Sequence, residues 1–186
     1  YRSYHSIQTA LLSVTHNIRL AMDNRLVTIL VLFDFIKAFD SISHTDLLSC
    51  LHNVHFSPDA LQWVASYLTE RKQAVVDDQS NISYWAKTNR GLPQGSLLVT
   101  LFFPLLLSTL PNILKHCKHH CYADDIQLYL HCKPNELTTA IPKMNEDIAR
   151  LALFTSNHSI SLNIAKTKAI LLGNARILNT ISYAVF

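Results

Sequence analysis

The sequence is poor in glycine, in charge and in long apolar runs. Only three glycines and 16% charged residues accompany 49% hydrophobic residues, which excludes a loop-rich or low-complexity chain and favours a sizeable buried core. The longest uncharged apolar run, "LLVTLFFPLLLSTL" at 97–110, contains Pro104 and is shorter than the ~20 residues that a membrane-spanning helix needs. We therefore expect a buried core helix there, and one domain in a chain of 186 residues.

Export signals and strong charge are missing as well. The chain has no basic, apolar and small-residue pattern of a signal peptide, so its four cysteines are expected to be reduced thiols. A net charge of +3 excludes a basic nucleic-acid-binding tail but not a moderate basic patch. Because the chain begins at Tyr1 and ends in the apolar "ISYAVF", we expect it to be a fragment.

One segment is rich in possible zinc ligands. "HCKHHCYADDIQLYLHC" covers 116–132, but its Cys-x3-Cys followed by an apolar strand lacks the paired knuckle spacing of structural zinc sites. A zinc-binding interaction module is therefore the less favoured alternative. The candidate ligands are His116, Cys117, His119, His120, Cys121, His131 and Cys132.

Hydrophobic periodicity distinguishes the first two elements. Apolar residues three and four apart predict an amphipathic helix over 5–22. The run "RLVTILVLF" at 25–33 is continuously apolar and β-branched, which is typical of a central strand buried on both faces. The period changes between them, so the chain turns from helix to sheet near residue 25.

Capping residues mark two more helices. We predict helices at 43–51 and 57–68, with Ser43 and Ser57 as N-caps. Asp46, three residues after Ser43, would complete an approximate capping box.

In the rest of the sequence, local patterns predict a hairpin over 70–87, a helix capped by Ser96, a strand pair around "YADD", a helix over 134–154 and a strand over 166–173. Pro142 is predicted to be a kink or an early-turn residue. With no internal repeat and no linker, this order predicts an α+β domain in which helices pack on one face of a mainly antiparallel sheet.

Three acids interrupt otherwise buried strands. Asp34 ends the first strand, and Asp124 and Asp125 stand together in "YADDIQLYL". An adjacent Asp pair by itself could simply cap a turn, and Asp34 could be a satisfied buried acid. However, if the two strands are neighbours, the carboxylates converge, repel and need a cation. Mg²⁺ suits them because it is a hard ion that binds carboxylates, water and phosphates.

Four motifs carry a resemblance to a known family. "LVLFDFIKAFDSISH", "GLPQGSLLVTLFF", "YADDIQLYL" and "SLNIAKTKAILLG" resemble, in order and spacing, the palm motifs of reverse transcriptases, in particular those of LINE-type elements without long terminal repeats. The opening "YRSYHSIQTALL" resembles the fingers segment of the same elements. The resemblance implies a polymerase palm-like sheet with part of the fingers and without a thumb: one partial domain over 1–186, with fingers to about residue 25 and palm over about 26–175.

The resemblance also implies site residues. Asp34, Asp124 and Asp125 would be catalytic and would bind two Mg²⁺ ions, or Mn²⁺ in their place, as in the two-metal clamp of polymerases. The remaining assignments are Phe35 through its carbonyl, Phe39 as a gate against a ribose 2′-hydroxyl, Gln94 and Gly95 toward nucleotide and template, Lys166 toward the triphosphate, and Arg71 and Gln73 toward the template.

Each of these secondary assignments keeps an ordinary structural alternative. Phe39 could be core packing, Gly95 a simple turn residue and Lys166 a solvated lysine at a strand end. A small Gly95 would instead let backbone and substrate approach closely.

The implied activity is RNA-directed DNA synthesis in retrotransposition, with an RNA template, a DNA primer and deoxynucleoside triphosphates as partners, in the nucleus or cytoplasm and away from membranes. Val99 and Thr100 replace the Gly-Pro that usually follows the family's "PQGS", and Gln8 replaces a common Glu. These departures favour the alternative of an inactive remnant. Without a thumb or many basic residues, we expect weak binding of primer-template.

Overall fold

Helices and strands alternate as predicted in this computed structural model, which describes residues 6–181. The first five residues lie outside that range, and they include the start of the predicted fingers segment and the first residue of the helix predicted over 5–22. The helices are α1 Ile7–Asp23, α2 Ala38–Ser41, α3 His44–Asn53, α4 Pro58–Leu68, α5 Leu97–Leu106, α6 Leu110–Ile113, α7 Leu137–Asn157 and α8 Ala175–Leu178. The strands are β1 Val27–Phe33, β2 Phe35–Ile36, β3 Lys72–Gln73, β4 Ala86–Lys87, β5 Lys118–Tyr122, β6 Asp125–Cys132, β7 Ser161–Leu162 and β8 Lys168–Leu172.

The main sheet has the order β5-β6-β1-β8, and all its pairs are antiparallel. β1 is central, with Phe33 opposite Ile126 on β6 and Thr28 opposite Leu172 on β8. Two small pairs, β2 with β7 and β3 with β4, lie outside it. The predicted α+β class and antiparallel sheet are confirmed.

Helices cover both faces of β1. Val27, Ile29, Val31 and Phe33 point into the large core formed with the helices from α2 to α7. Leu30, on the opposite face, packs in a smaller cluster with Val14 and Ile18 of α1 and Tyr129 of β6. The helices other than α1 therefore follow the expected one-sided arrangement, and α1 covers the second face. This double cover explains why every residue of β1 except Thr28 is apolar.

The apolar run at 97–110 is a core element, as predicted. It forms α5, a short 3-10 helix at 107–109 and the start of α6, and Phe102, Phe103, Leu106 and Leu110 are at most 1% exposed. Within residues 6–181, no helix is long and apolar enough to cross a membrane.

Serine hydroxyls begin the predicted helices. Ser43 Oγ accepts a hydrogen bond from the Asp46 backbone at 3.3 Å, and Ser57 and Ser96 cap α4 and α5 in the same way. The second half of the predicted capping box is wrong: Asp46 Oδ2 instead accepts a hydrogen bond from Ser159 at 3.1 Å. A tertiary partner has thus replaced the local one.

Candidate active site

The three acids lie at one end of the main sheet. β1 ends at Phe33, which pairs with Ile126 of β6, so Asp34 and Asp125 are the next residues beyond that pair on neighbouring strands. Tyr122 pairs with Asp125 across a tight turn that contains Ala123 and Asp124, and Ala123 has a left-handed φ of +52°. The predicted adjacency of the two acid-bearing strands is therefore present.

Electrostatic repulsion links these carboxylates. Desolvation raises the pKa of Asp125, and the negative charges of Asp124 and Asp34 raise it further. Like charges gathered in this way disfavour ionisation unless a cation compensates them. The arrangement can therefore attract a cation and can destabilise its own fully ionised state.

In this structure the compensating cation of Asp34 is Lys166. The Lys166 ammonium lies 3.3 Å from Asp34 Oδ2, and the Asn163 side chain donates to the same oxygen at 3.1 Å. The Asn163 backbone N–H also donates to the Asp34 carbonyl at 2.8 Å. Asn163 was not among the predicted site residues. Its place in "SLNIAKTK", three residues before Lys166, is the feature of the sequence that could have indicated it.

The donor chemistry fits a hard divalent ion. Carboxylate oxygens are the ligands that Mg²⁺ takes in phosphoryl-transfer sites, and mutual repulsion is what a bound cation would relieve. In the described part of the chain, no three His, Cys, Asp or Glu side chains stand close enough to hold one ion together. Binding would therefore require the three acids to draw closer and Lys166 to release Asp34.

The Cys/His segment is likewise not gathered into a ligand set within residues 6–181. His116 contacts Glu146 at 2.8 Å, the Cys117 thiol contacts Met144 at 3.5 Å, and His131 contacts Thr28 at 2.8 Å. These separate partners give the segment a structural role and leave the zinc alternative without a pre-formed site.

Two phenylalanines join the acid-bearing strand end to α5. Phe35 is buried and meets the Phe103 ring edge-on at 6.2 Å, and the half-buried Phe39 lies 4.9 Å from the same ring. Core packing therefore explains the buried part of the Phe39 side chain, whereas the exposed part could contact a substrate. The gate assignment stays a prediction.

The "GLPQGS" loop is hydrogen-bonded to α2, the short helix that follows the acid-bearing strand. The Leu92 backbone donates to the Phe39 carbonyl at 2.7 Å, and the Gln94 side chain donates to Asp40 Oδ1 at 2.9 Å. Gly91 and Gly95 have φ of +84° and +85°, which glycine adopts without strain. A Cβ at Gly91 would lie only 2.9 Å from the Asp40 carbonyl, whereas one at Gly95 would meet nothing within 4 Å.

A cleft with several basic side chains opens next to this loop. It has a volume of about 590 Å³, and its walls include the predicted Arg71 and Gln73. Arg71 lies 5.1 Å over the Tyr67 ring, a cation–π contact. Three further cations line this cleft, Lys37, Lys72 and Arg90. They were not predicted from the sequence, because no local pattern shows that the segments around residues 37, 72 and 90 meet.

Comparison with known proteins decides the family. The model of the family described as reverse transcriptase (RNA-dependent DNA polymerase) matches residues 1–182. The chain belongs to the reverse transcriptase family. The family is one of nucleotidyltransferases that generally use divalent metal ions and copy a nucleic acid template.

Solved structures support the same fold. An apo telomerase from Candida tropicalis, truncated from its C-terminal domain, aligns with a TM-score of 0.66 and 16% identity, over 92% of this chain and 36% of that one. Telomerase from Candida albicans in complex with a fragment of telomeric RNA gives a TM-score of 0.57 and 13% identity, over 89% and 30%. No curated protein matched the chain.

This reverse transcriptase domain spans about a third of those telomerase chains. At this identity the likeness concerns the fold. The reverse transcriptase class expected from the motifs is confirmed, whereas the LINE-type subclass is not, since the solved neighbours above are telomerases.

Proposed function

We propose that this chain is the palm-bearing part of an RNA-directed DNA polymerase from a LINE-type retrotransposon, with a short fingers segment before about residue 25 and palm over about 26–175. The observation that supports the proposal is the strand pairing, in which Asp34 and Asp125 lie directly beyond the paired residues Phe33 and Ile126, and Asp124 lies in the adjoining turn at the same end of the antiparallel sheet. The LINE-type subclass rests on the order and spacing of the four sequence motifs. The nucleus or cytoplasm is the proposed location.

The proposed reaction is attack of a DNA primer 3′-hydroxyl on the α-phosphorus of a deoxynucleoside triphosphate, with pyrophosphate leaving, on an RNA template. Asp34, Asp124 and Asp125, together with the Phe35 carbonyl, would hold two Mg²⁺ ions or Mn²⁺ in their place. Bound ions of this kind neutralise charge that develops on the attacking and leaving oxygens. The protein contributes mainly positioning and electrostatics, as is usual in phosphoryl transfer.

Residues around the acids have supporting roles in this proposal. Lys166, released from Asp34, would offset negative charge on the triphosphate or protonate pyrophosphate. The exposed edge of Phe39 would exclude a ribose 2′-hydroxyl, the group that distinguishes RNA from DNA building blocks. Gln94 and Gly95 would contact nucleotide and template, and Arg71 and Gln73 the template strand.

The second candidate is an inactive remnant with the same fold. Val99 and Thr100 stand where the family usually has Gly-Pro, and Val99 is buried in the core. The Lys166–Asp34 ion pair also occupies a carboxylate that metal binding requires.

Primer extension on an RNA template separates the two candidates. The measurement is Mg²⁺-dependent incorporation of deoxynucleotides at high enzyme concentration, for which we expect weak extension that Asp124→Asn abolishes. The exposed Asp78 in the hairpin provides a matched control, because Asp78→Asn should leave extension unchanged. Extension that survives Asp124→Asn would refute the carboxylate assignment, and no extension from any variant would favour the remnant.

A further inference from the structure

The β3–β4 hairpin holds two like charges face to face. Lys72 and Lys87 are cross-strand partners, and both are exposed. Like charges directly opposite each other on a sheet are destabilising. Within residues 6–181, neither lysine forms an ion pair, and the neighbouring Glu70 pairs with neither of them. An anionic ligand bound between the two lysines would relieve this repulsion.

A tryptophan stands on the same face. Trp85 lies directly before β4, and its side chain lines the same cavity as Lys87. Trp85 is 67% exposed and lines a cavity of about 780 Å³ together with Glu70, Lys72 and Lys87. An indole that stays exposed in the folded domain gains little free energy from burial. A planar partner that stacks on the ring would bury it.

This cavity shares one lining residue with the cleft beside the "GLPQGS" loop. Lys72 also lines the 590 Å³ cleft, which reaches Gly91 of the "GLPQGS" loop. Arg71 and Arg90 line the same cleft, so positive charge extends from the hairpin to the loop. Asp40 is the one acid among the residues that line the cleft, so the basic side chains outnumber it and could contact successive phosphates.

We infer that the face formed by Lys72, Trp85 and Lys87 binds single-stranded nucleic acid, with Trp85 stacking on a base and the lysines contacting phosphates. Open base faces are available in single strands but hidden in a duplex, and alternation of cations with an aromatic ring is how single strands are held. The inference rests on the proposed function for its biological setting, but it concerns a surface outside the three acids and requires no metal.

The test is equilibrium binding of fluorescent single-stranded RNA by the whole chain in EDTA and without nucleotides. Trp85→Ala should weaken binding about 5- to 150-fold, the range for loss of one base–aromatic stack. Trp63→Ala removes the chain's other tryptophan, which is 56% exposed but lies on α4 outside the cavity, and should change affinity less than twofold.

Salt dependence tests the lysines. A Lys72→Ala, Lys87→Ala double variant should reduce the slope of log affinity against log salt by about 1.4, since each phosphate contact on a single strand contributes ~0.7. Lys143→Ala, an exposed lysine on α7, is the matched control and should leave the slope unchanged.

A direct readout avoids reliance on the loss of affinity. In Trp63→Phe, Trp85 is the only indole, and single-stranded RNA or DNA should quench its fluorescence, whereas duplex RNA of equal charge should not. The RNA and DNA arms show which strand binds more tightly. Unquenched Trp85, wild-type affinity in Trp85→Ala, or equal displacement by polyglutamate would overturn the inference. Because the binding assay contains EDTA and no nucleotides, whereas primer extension requires Mg²⁺ and deoxynucleotides, failure of polymerisation and failure of this site are distinguishable.

Discussion

Replacing Asp147 by Asn should destabilise the domain, because one buried carboxylate holds three consecutive backbone N–H groups. Asp147 on α7 is fully buried and accepts hydrogen bonds from Lys115, His116 and Cys117 at 3.0, 2.8 and 2.7 Å. These three residues lead directly into β5, the strand that carries the "YADD" turn. The carboxylate therefore anchors the hairpin of the candidate site to the long helix.

The magnitude follows from the pKa of Asp147. Burial by itself would raise this pKa, but the backbone hydrogen bonds outweigh burial and lower it from 3.8 to about 2. A shift of this size corresponds to about 2 kcal/mol of stability. Because the folded pKa is the lower one, this contribution is present above pH 3.8 and is lost as the pH falls through about 2. Asn has a single acceptor oxygen, so it also leaves buried N–H groups unsatisfied.

Urea unfolding measured from pH 7 down to pH 2 checks this prediction. Asp147→Asn should lower the free energy of unfolding by about 2–4 kcal/mol at pH 7 and should flatten its decline below pH 4. Glu146→Gln is the matched control, because Glu146 is 45% exposed and its ion pairs are screened by solvent. If Asp147→Asn costs no more than Glu146→Gln, or if the acid dependence is unchanged, the anchoring role is refuted.

Three further outcomes are expected. Lys166→Ala should abolish primer extension while lowering the free energy of unfolding by at most about 1 kcal/mol, because its ion pair is largely exposed; a larger loss in urea unfolding would make it structural. Gly91→Ala should lower the melting temperature more than Gly95→Ala, since both have positive φ but only Gly91 meets backbone; equal shifts would contradict the close approach. Burial and the nearby Asp147 charge raise the pKa of Cys117 to about 12. At pH 8, iodoacetamide should therefore label Cys117 about a thousandfold more slowly than an ordinary thiol, as measured by mass spectrometry. Labelling at the ordinary rate would refute this prediction.

Most secondary structure could be predicted from the sequence because its causes are local. A serine followed by an apolar stripe begins a helix whatever the rest of the chain does, and Ser43, Ser57 and Ser96 behave in this way. Asp46 departs from its local rule because a tertiary partner, Ser159, takes its carboxylate. Local rules fail where a long-range hydrogen bond competes with the local one.

The candidate site likewise has features that the sequence predicts and contacts that only the folded structure shows. Their setting in apolar strands indicated the three acids, and the family resemblance indicated Lys166 and supplied the predicted roles. The pairing of Lys166 with Asp34 and the support from Asn163 were not predictable, because these contacts depend on where the segment after α7 returns to the sheet. The sequence also does not predict that Lys37, Arg71 and Arg90 line one cleft, because these residues belong to separate stretches of chain.

The sequence by itself determined the order of elements, the burial of β1 and the motifs that indicated the family, since periodicity, capping and each single motif are properties of short stretches of chain. Only the tertiary structure decided that α1 covers the second face of the sheet, that β6 lies beside β1 so that Asp34 and Asp125 become neighbours, and that Lys72 faces Lys87. These facts depend on strand pairing and side-chain packing between distant segments, in which many partners are compatible with the same local pattern.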